Sequence, residues 1–199
     1  VALPTEYAYK SKSEGGIWEE GDLRRDESIR YDFTYLGITP TEVSWGADEL
    51  DPHIKKYEDE RTDQFNGNLA NEWYSGKNFI VLRYADVLLC YAECLNELGE
   101  TGQANTIVNQ VRARAWGGTL PNEMAWNYGQ DEFRTQIMNE RIRELCFEGW
   151  RRMDLIRTGK FVELIKERNS WAKKSGTIKD FHMRYPIPDT EIKNNDDIS

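Results

Sequence analysis

The chain has 199 residues, 39% hydrophobic and 12% aromatic, with a formal net charge of −9. That length suits one globular domain with a sizeable core, or part of a larger one, and a mean hydropathy of −0.76 with no long apolar run excludes a membrane-spanning helix. The acidic excess falls mainly in residues 1–80, with 17 Asp and Glu against 9 Lys and Arg, so no phosphate-neutralising surface is on offer and nucleic acid is not an expected partner.

The first ten residues, VALPTEYAYK, have neither a charged n-region nor an apolar h-region, so they do not read as a signal peptide. Residues 1–80 show little sustained periodicity and are rich in Gly, Asp, Asn and aromatics. Residues 29–36, IRYDFTYL, are the best candidate for a strand; the rest of this half reads as loops over a scaffold. The acidic clusters Glu19–Asp26 and Glu58–Asp63 admit Ca²⁺ as a possible ion, although solvated acidic loops are the commoner outcome.

At residue 81 the character changes. VLRYADVLLCYAECLNELG has apolar residues at 81, 84, 85, 88, 91, 92, 95 and 98, a helical stripe that stops at Gly99 and puts Asp86, Glu93 and Glu97 on the other side. After a short turn, Ala104, Ile107, Val108, Val111 and Ala115 share a second helical face. Two helices so joined lie antiparallel, like one tetratricopeptide unit, whose repeat is about 34 residues. A lone hairpin is too small to close its own core. A loop follows over 116–129, then a helix over about 131–147 with Asp131 as N-cap and Phe133, Ile137, Leu145 and either Met138 or Ile142 inward. Gly149 interrupts it, a short helix runs over 150–157, and helix signal resumes over 160–170. Pro186 and Pro188 then force extended backbone before a last turn capped by Asp189 or Thr190.

Cys90, Cys94 and Cys146 are an odd set at spacings that make no disulfide framework, and they read as helix-packing thiols without a metal. Residues 140–161, ERIRELCFEGWRRMDLIRTGKF, carry Glu140, Glu144 and Glu148 on one helix face, with arginines interleaved. Carboxylates so flanked stay ionised and make poor general acids. The stretch therefore reads as a ladder of ion pairs around Gly149, each worth about 0.3–0.5 kcal/mol if exposed. None of the common hydrolase, nucleotide or metal motifs is present.

Three blocks, LRYADVLLCYAECLNELGE…ANTIVNQVRARA (82–115), FRTQIMNERIRELCFEGWRRMDLIRTGKF (133–161) and YPIPDTEIKNN (185–195), together with GDLRRDESI (21–29), make the chain similar to the C-terminal portion of the SusD/RagB family of Bacteroidetes outer-membrane nutrient-binding lipoproteins. The resemblance covers the whole chain but only the later part of a family member. The family's signal peptide, lipidated cysteine, most of its tetratricopeptide-like helices and its asparagine- and proline-rich tail are not in this sequence. The resemblance implies either a fragment or a region completed by another chain, with membrane attachment only through an N-terminal lipid.

The expected fold is mainly α: a tetratricopeptide-like hairpin and further helices packed with a large, irregular, strand-poor segment. Residues 1–80 form the irregular, loop-rich part and 81–199 the helical part, together expected to be one domain within a larger protein. By resemblance the function is non-catalytic capture of a nutrient glycan at the cell surface and delivery to a SusC-like TonB-dependent transporter. The alternatives are a peptide ligand, as in RagB-like proteins, or a helical scaffold without a small ligand. No ligand residues transfer from the family. Trp18, Trp45, Trp73 and Tyr74 lie in the polar, irregular half, where flat rings could stack on sugars, and at least one of the three tryptophans is expected to be exposed. Gly15 and Gly16 are expected to project Trp18 outward.

Overall fold

In the computed structural model, residues 3–31, 33–34, 39, 51–59, 76–195 and 197 are described. The fold is mainly helical, as the periodicity and the resemblance imply. In chain order the elements are α1 (Glu6–Tyr9), α2 (Arg24–Ser28), β1 (Ile29–Arg30), β2 (His53–Ile54), α3 (Tyr84–Glu97), α4 (Thr101–Ala115), α5 (Gln130–Glu144), α6 (Trp150–Arg157), α7 (Phe161–Arg168), α8 (Ser170–Ser175) and α9 (Asp189–Asn194). The chain divides into two compact units, residues 1–154 and 155–199.

In the first unit, α3 and α4 form the hairpin, turning at Gly99 with φ 83°, a left-handed angle that glycine adopts without strain. Its core is Leu89, Ala92, Leu95, Ala104, Val108 and Val111, closed by Phe133, Ile137, Met138 and Leu145 of the α5 region and by Trp126. Thus α5 supplies the cover that the hairpin lacks by itself. The expected face of α4 is correct, with Ala104, Val108, Val111 and Ala115 buried and Ile107 partly so. The expected face of α3 is rotated. Leu88 is only half-buried, Leu89 is fully buried, and Val81, Tyr84, Tyr91 and Leu98 are exposed. Asp86, expected outside, is buried. Arg141 of α5 reaches it at 2.8 Å, so an ion pair pulls that face inward.

The loop over 116–129 runs back along α4 and is held by side-chain amides. Asn105 donates to the Tyr128 carbonyl (2.9 Å) and accepts from its N–H (3.2 Å), and Asn109 does the same with Trp126 (3.0 and 2.7 Å). Asparagines one helical turn apart thus satisfy the backbone groups of an extended segment, which would otherwise be costly to bury.

Helix α5 starts at Gln130, with Gly129 as N-cap rather than Asp131. It ends by Leu145, and Phe147 at φ 62° and Gly149 at φ 87° then turn the chain into α6. A two-residue antiparallel ladder pairs Ile29 with Ile54 and Arg30 with His53, so the expected strand is shorter than its sequence signal among the described residues. Of the cysteines, Cys146 is buried as a packing thiol, but Cys90 and Cys94 are exposed, because both follow the outward-facing side of the rotated α3.

The second unit holds α7, α8 and α9, with Leu155 and Phe161 buried. The Asn169 side chain caps α8 by accepting from the Ala172 N–H at 3.0 Å. Helix α9 begins at Asp189 after Pro188, with no side-chain cap, because the preceding proline already sets the extended entry.

Candidate functional site

The charged stretch folds into a buried ionic junction built from six parts of the sequence. Arg24, entering α2, binds Asp22 through Nη2 (2.7 Å), Glu140 through Nη1 (2.7 Å) and Glu144 through Nη1 (2.9 Å). Arg112 of α4 donates to Glu140 (2.9 Å) and Glu19 (2.5 Å), and to the Met124 carbonyl. Arg143 donates to Glu140 (2.6 Å) and to the Ile17 carbonyl (3.2 Å). Arg83 bridges Glu144 and Glu148 (2.5 and 2.8 Å), Arg114 also reaches Glu144, and Lys56 reaches Glu148 at 2.6 Å.

The expected ladder of ion pairs is present, but it is buried. Glu140, Glu144, Arg112 and Arg143 are each at most 2% exposed. Among the pairs described, Glu140–Arg143 is local to the helix, while the other partners come from residues 19 to 114. A small exposed-pair energy therefore does not apply, and the governing quantity is the cost of leaving one buried charge without its partner. Burial disfavours ionisation of Glu140, but Arg24, Arg143 and Arg112 outweigh it and hold the carboxyl well below the usual range. Glu144 and Glu19 are lowered in the same way, burial being overcome by Arg24 and Arg83 for the first and by Arg143 and Arg112 for the second. Carboxylates held this way are acceptors for arginine and have no proton to give as general acids. Among the described residues, no three His, Cys, Asp or Glu side chains assemble as a metal site.

Trp18 does not form an exposed platform. It is 1% exposed and packs with Ile17, Ile29 and Cys146, its indole donating to the Ala8 carbonyl at 2.6 Å. The glycines act opposite to expectation. A Cβ on Gly16 would lie 2.0 Å from the Lys10 carbonyl oxygen, so this glycine lets the chain fold back on residue 10 and carries the ring inward. Trp45, Trp73 and Tyr74 lie outside the described residues.

The exposed apolar groups that are described lie elsewhere. On α3, Tyr84, Val87, Tyr91 and Leu98 form an outward ridge, continued by Val81, Leu82 and Phe79. A cleft of about 330 Å³ is lined by Ile54, Ile142, Leu145, Cys146 and Phe147, with Arg141, Arg151 and Asp154 also on it. A third feature sits beside the small sheet. The Arg25 guanidinium lies 4.8 Å from the Tyr9 ring centre and 4.6 Å from that of Tyr31, and the two rings meet edge to face at 5.6 Å. The Tyr31 hydroxyl donates to Asp26 at 2.5 Å, and Lys55 donates to the Asp26 carbonyl at 2.7 Å. Next to them is a cleft of about 250 Å³ lined by Asp26, Ile29, Arg30, Tyr31 and Lys55. The sequence signal for this cluster was the run of charges that ends in an aromatic, RRDESIRY. Lys55, brought in by β2, has no such signal.

The model of the SusD family matches residues 5–199. The chain belongs to the SusD family. SusD-like protein P38 of Formosa agariphila is 40% identical over 155 residues, which are 75% of this chain and 28% of that protein. Starch-binding protein SusD of Bacteroides thetaiotaomicron is 27% identical over 151 residues, 73% of this chain and 25% of that protein. The chain thus spans about a quarter of the length of these curated relatives. A crystal structure of a SusD homolog from Bacteroides thetaiotaomicron superposes with a TM-score of 0.69 at 26% identity, covering 87% of this chain and 39% of that one. The mainly helical SusD-like fold follows from the chain's own structure and from this neighbour together.

Proposed function

We propose that the protein binds nutrient glycans without transforming them, at the outer surface of the outer membrane, and passes them to a SusC-like TonB-dependent transporter. The observation that carries this reading is the family match over residues 5–199, with a relative named as starch-binding. The ionic junction supports the non-catalytic part, since its glutamates are committed to arginines. A retaining or inverting glycosidase needs a carboxyl group that can hold a proton across a cleft from a second one. Screening the protein on a glycan array, with a parallel assay for new reducing ends, tests the proposal. Retention of a glycan without release of reducing ends is expected; release of reducing ends overturns it.

A second reading, a helical scaffold that binds protein instead of a small ligand, is favoured by the ridge on α3. Tyr84, Val87, Tyr91 and Leu98 follow the spacing by which one helix seats against another. Unchanged glycan retention after charge is placed at Tyr91 separates the ridge from the sugar site.

A further inference from the structure

The cleft beside Tyr31 combines features that are separately common and together selective. Its wall is an aromatic ring whose orientation is fixed twice over. The hydroxyl is tied to Asp26, and the Arg25 guanidinium stacks in the angle between Tyr31 and Tyr9. Tyr31 lines the cleft, whereas Arg25 and Tyr9, which hold its ring, do not. Burial, aided by the bond to Asp26, pushes the phenol up to about 12, and the hydroxyl remains a donor at neutral pH.

The rim is set by three elements. Asp26 comes from α2, Arg30 from β1, and Lys55 from the residue after β2, where its N–H is held by the Ser28 carbonyl at 2.9 Å. Arg30 is already neutralised by both oxygens of Glu58. Beyond the bonds already made to the Tyr31 hydroxyl and from Lys55 to the Asp26 carbonyl, the rim offers a ligand the second oxygen of the Asp26 carboxylate as acceptor and the remaining protons of the Lys55 ammonium as donors. That rim is too polar for an acyl chain, and too nearly neutral to select phosphate or sulfate. A ring with one apolar face and several hydroxyls at its edge matches both the wall and the rim. Pockets for drug-sized ligands run to roughly 300–1,000 Å³, and this one, at about 250 Å³ and open to solvent, suits a single ring of a longer chain.

We infer that this cleft is a subsite for one pyranose unit of a neutral oligosaccharide, with Tyr31 stacking on the sugar face, Asp26 accepting from a hydroxyl and Lys55 donating to one. The inference rests on the glycan-binding reading and adds the place of contact.

The test begins with the 199-residue chain on an array of neutral glycans, maltoheptaose, cellohexaose and xylohexaose among them. A retained glycan is then titrated against the Tyr31→Ala, Tyr31→Phe, Asp26→Asn and Trp171→Ala variants, each checked by far-UV circular dichroism. Trp171 is an exposed tryptophan in the second unit and controls for stacking elsewhere. The expected result is binding weakened by about tenfold or more in Tyr31→Ala and Asp26→Asn, little change in Tyr31→Phe, and none in Trp171→Ala. Saturation transfer from the Tyr31 ring protons to the glycan in the unaltered chain is expected too, and this readout stands even where a variant fails to fold. Glycan binding that survives Tyr31→Ala, or that shows no transfer from Tyr31, overturns the subsite and leaves the glycan-binding function intact. Retention of no glycan by the unaltered chain overturns both.

Discussion

Helix α5 passes through two interiors made in opposite ways. Its first half places Phe133, Ile137 and Met138 against α3 and α4, an apolar cluster whose members are nearly all close in sequence or on one hairpin. Its second half places Glu140, Arg143 and Glu144 among charges drawn from residues 19 to 114. The apolar half gains by area, and losing a side chain there removes a share of the whole. The ionic half gains nothing net from desolvating charge unless every group meets its partner, so losing one strands the rest. One half is graded, and the other is close to all-or-none.

That contrast is open to measurement. The largest expected effect is from Glu140→Ala, which leaves Arg24, Arg112 and Arg143 facing one another without their shared acceptor. Breaking such a buried pair costs about 3–5 kcal/mol, read from the urea midpoint; a change under about 1 kcal/mol would show the junction to be hydrated and cheap. Next comes Leu89→Ala in the apolar half, where Leu89 has no exposure and truncation is expected to cost about 2–5 kcal/mol. If it costs more than Glu140→Ala, the ranking of the two interiors is reversed.

Acid should act on one half only. Glu19, Glu140 and Glu144 have lowered folded-state pKa values, so near pH 4 the unfolded chain binds more protons than the folded one. Their contribution is therefore present above the ordinary carboxylate value of 4.5 and is lost as pH falls below it. Thermal melts from pH 6 down to 3 should show a steep loss, and Glu140→Gln should flatten it. A smaller effect concerns reactivity: burial pushes the Cys146 thiol up to about 12. At pH 8 iodoacetamide should label the exposed Cys90 and Cys94 and reach Cys146 only on unfolding, as peptide mass mapping can check. The smallest is Arg134→Ala. Its pairs with Glu97 and Asp131 lie on the surface, and no measurable shift in melting temperature is expected.

The N-caps expected at Asp131 and at Asp189 or Thr190 are not formed. Period and glycine placement nevertheless made much of the helical half legible: the hairpin, its turn at Gly99, the break at Gly149 and the inward face of α4 all follow from local sequence. The face of α3 did not, because apolar residues surround much of it and the decisive vote came from Arg141 pulling in Asp86. The charged block was legible as ion-paired but not as buried. Local spacing offered arginines at three and four residues, whereas most of the actual partners come from Arg24, Arg83, Arg112 and Arg114. Trp18 was misread for a related reason. Glycines before an aromatic signal a close backbone approach as readily as freedom to project, and only the position of Lys10 decides between them. The Tyr31 cleft needed β2 to bring Lys55 across, a pairing of two residues per strand that leaves almost no periodic trace.

The sharing of Glu140 among three arginines from α2, α4 and α5 also limits how the protein can change over time. A substitution at Arg24 is tolerable only if Glu140 or Asp22 changes with it, and Glu140 is bound in turn by Arg112 and Arg143. Segments that pass through the junction are therefore coupled in the substitutions they tolerate. A chimera that takes residues 1–31 from one relative and α5 from another should misfold unless both parents carry matching charges at these positions, whereas exchanges confined to residues 170–195, in the second unit, should be tolerated.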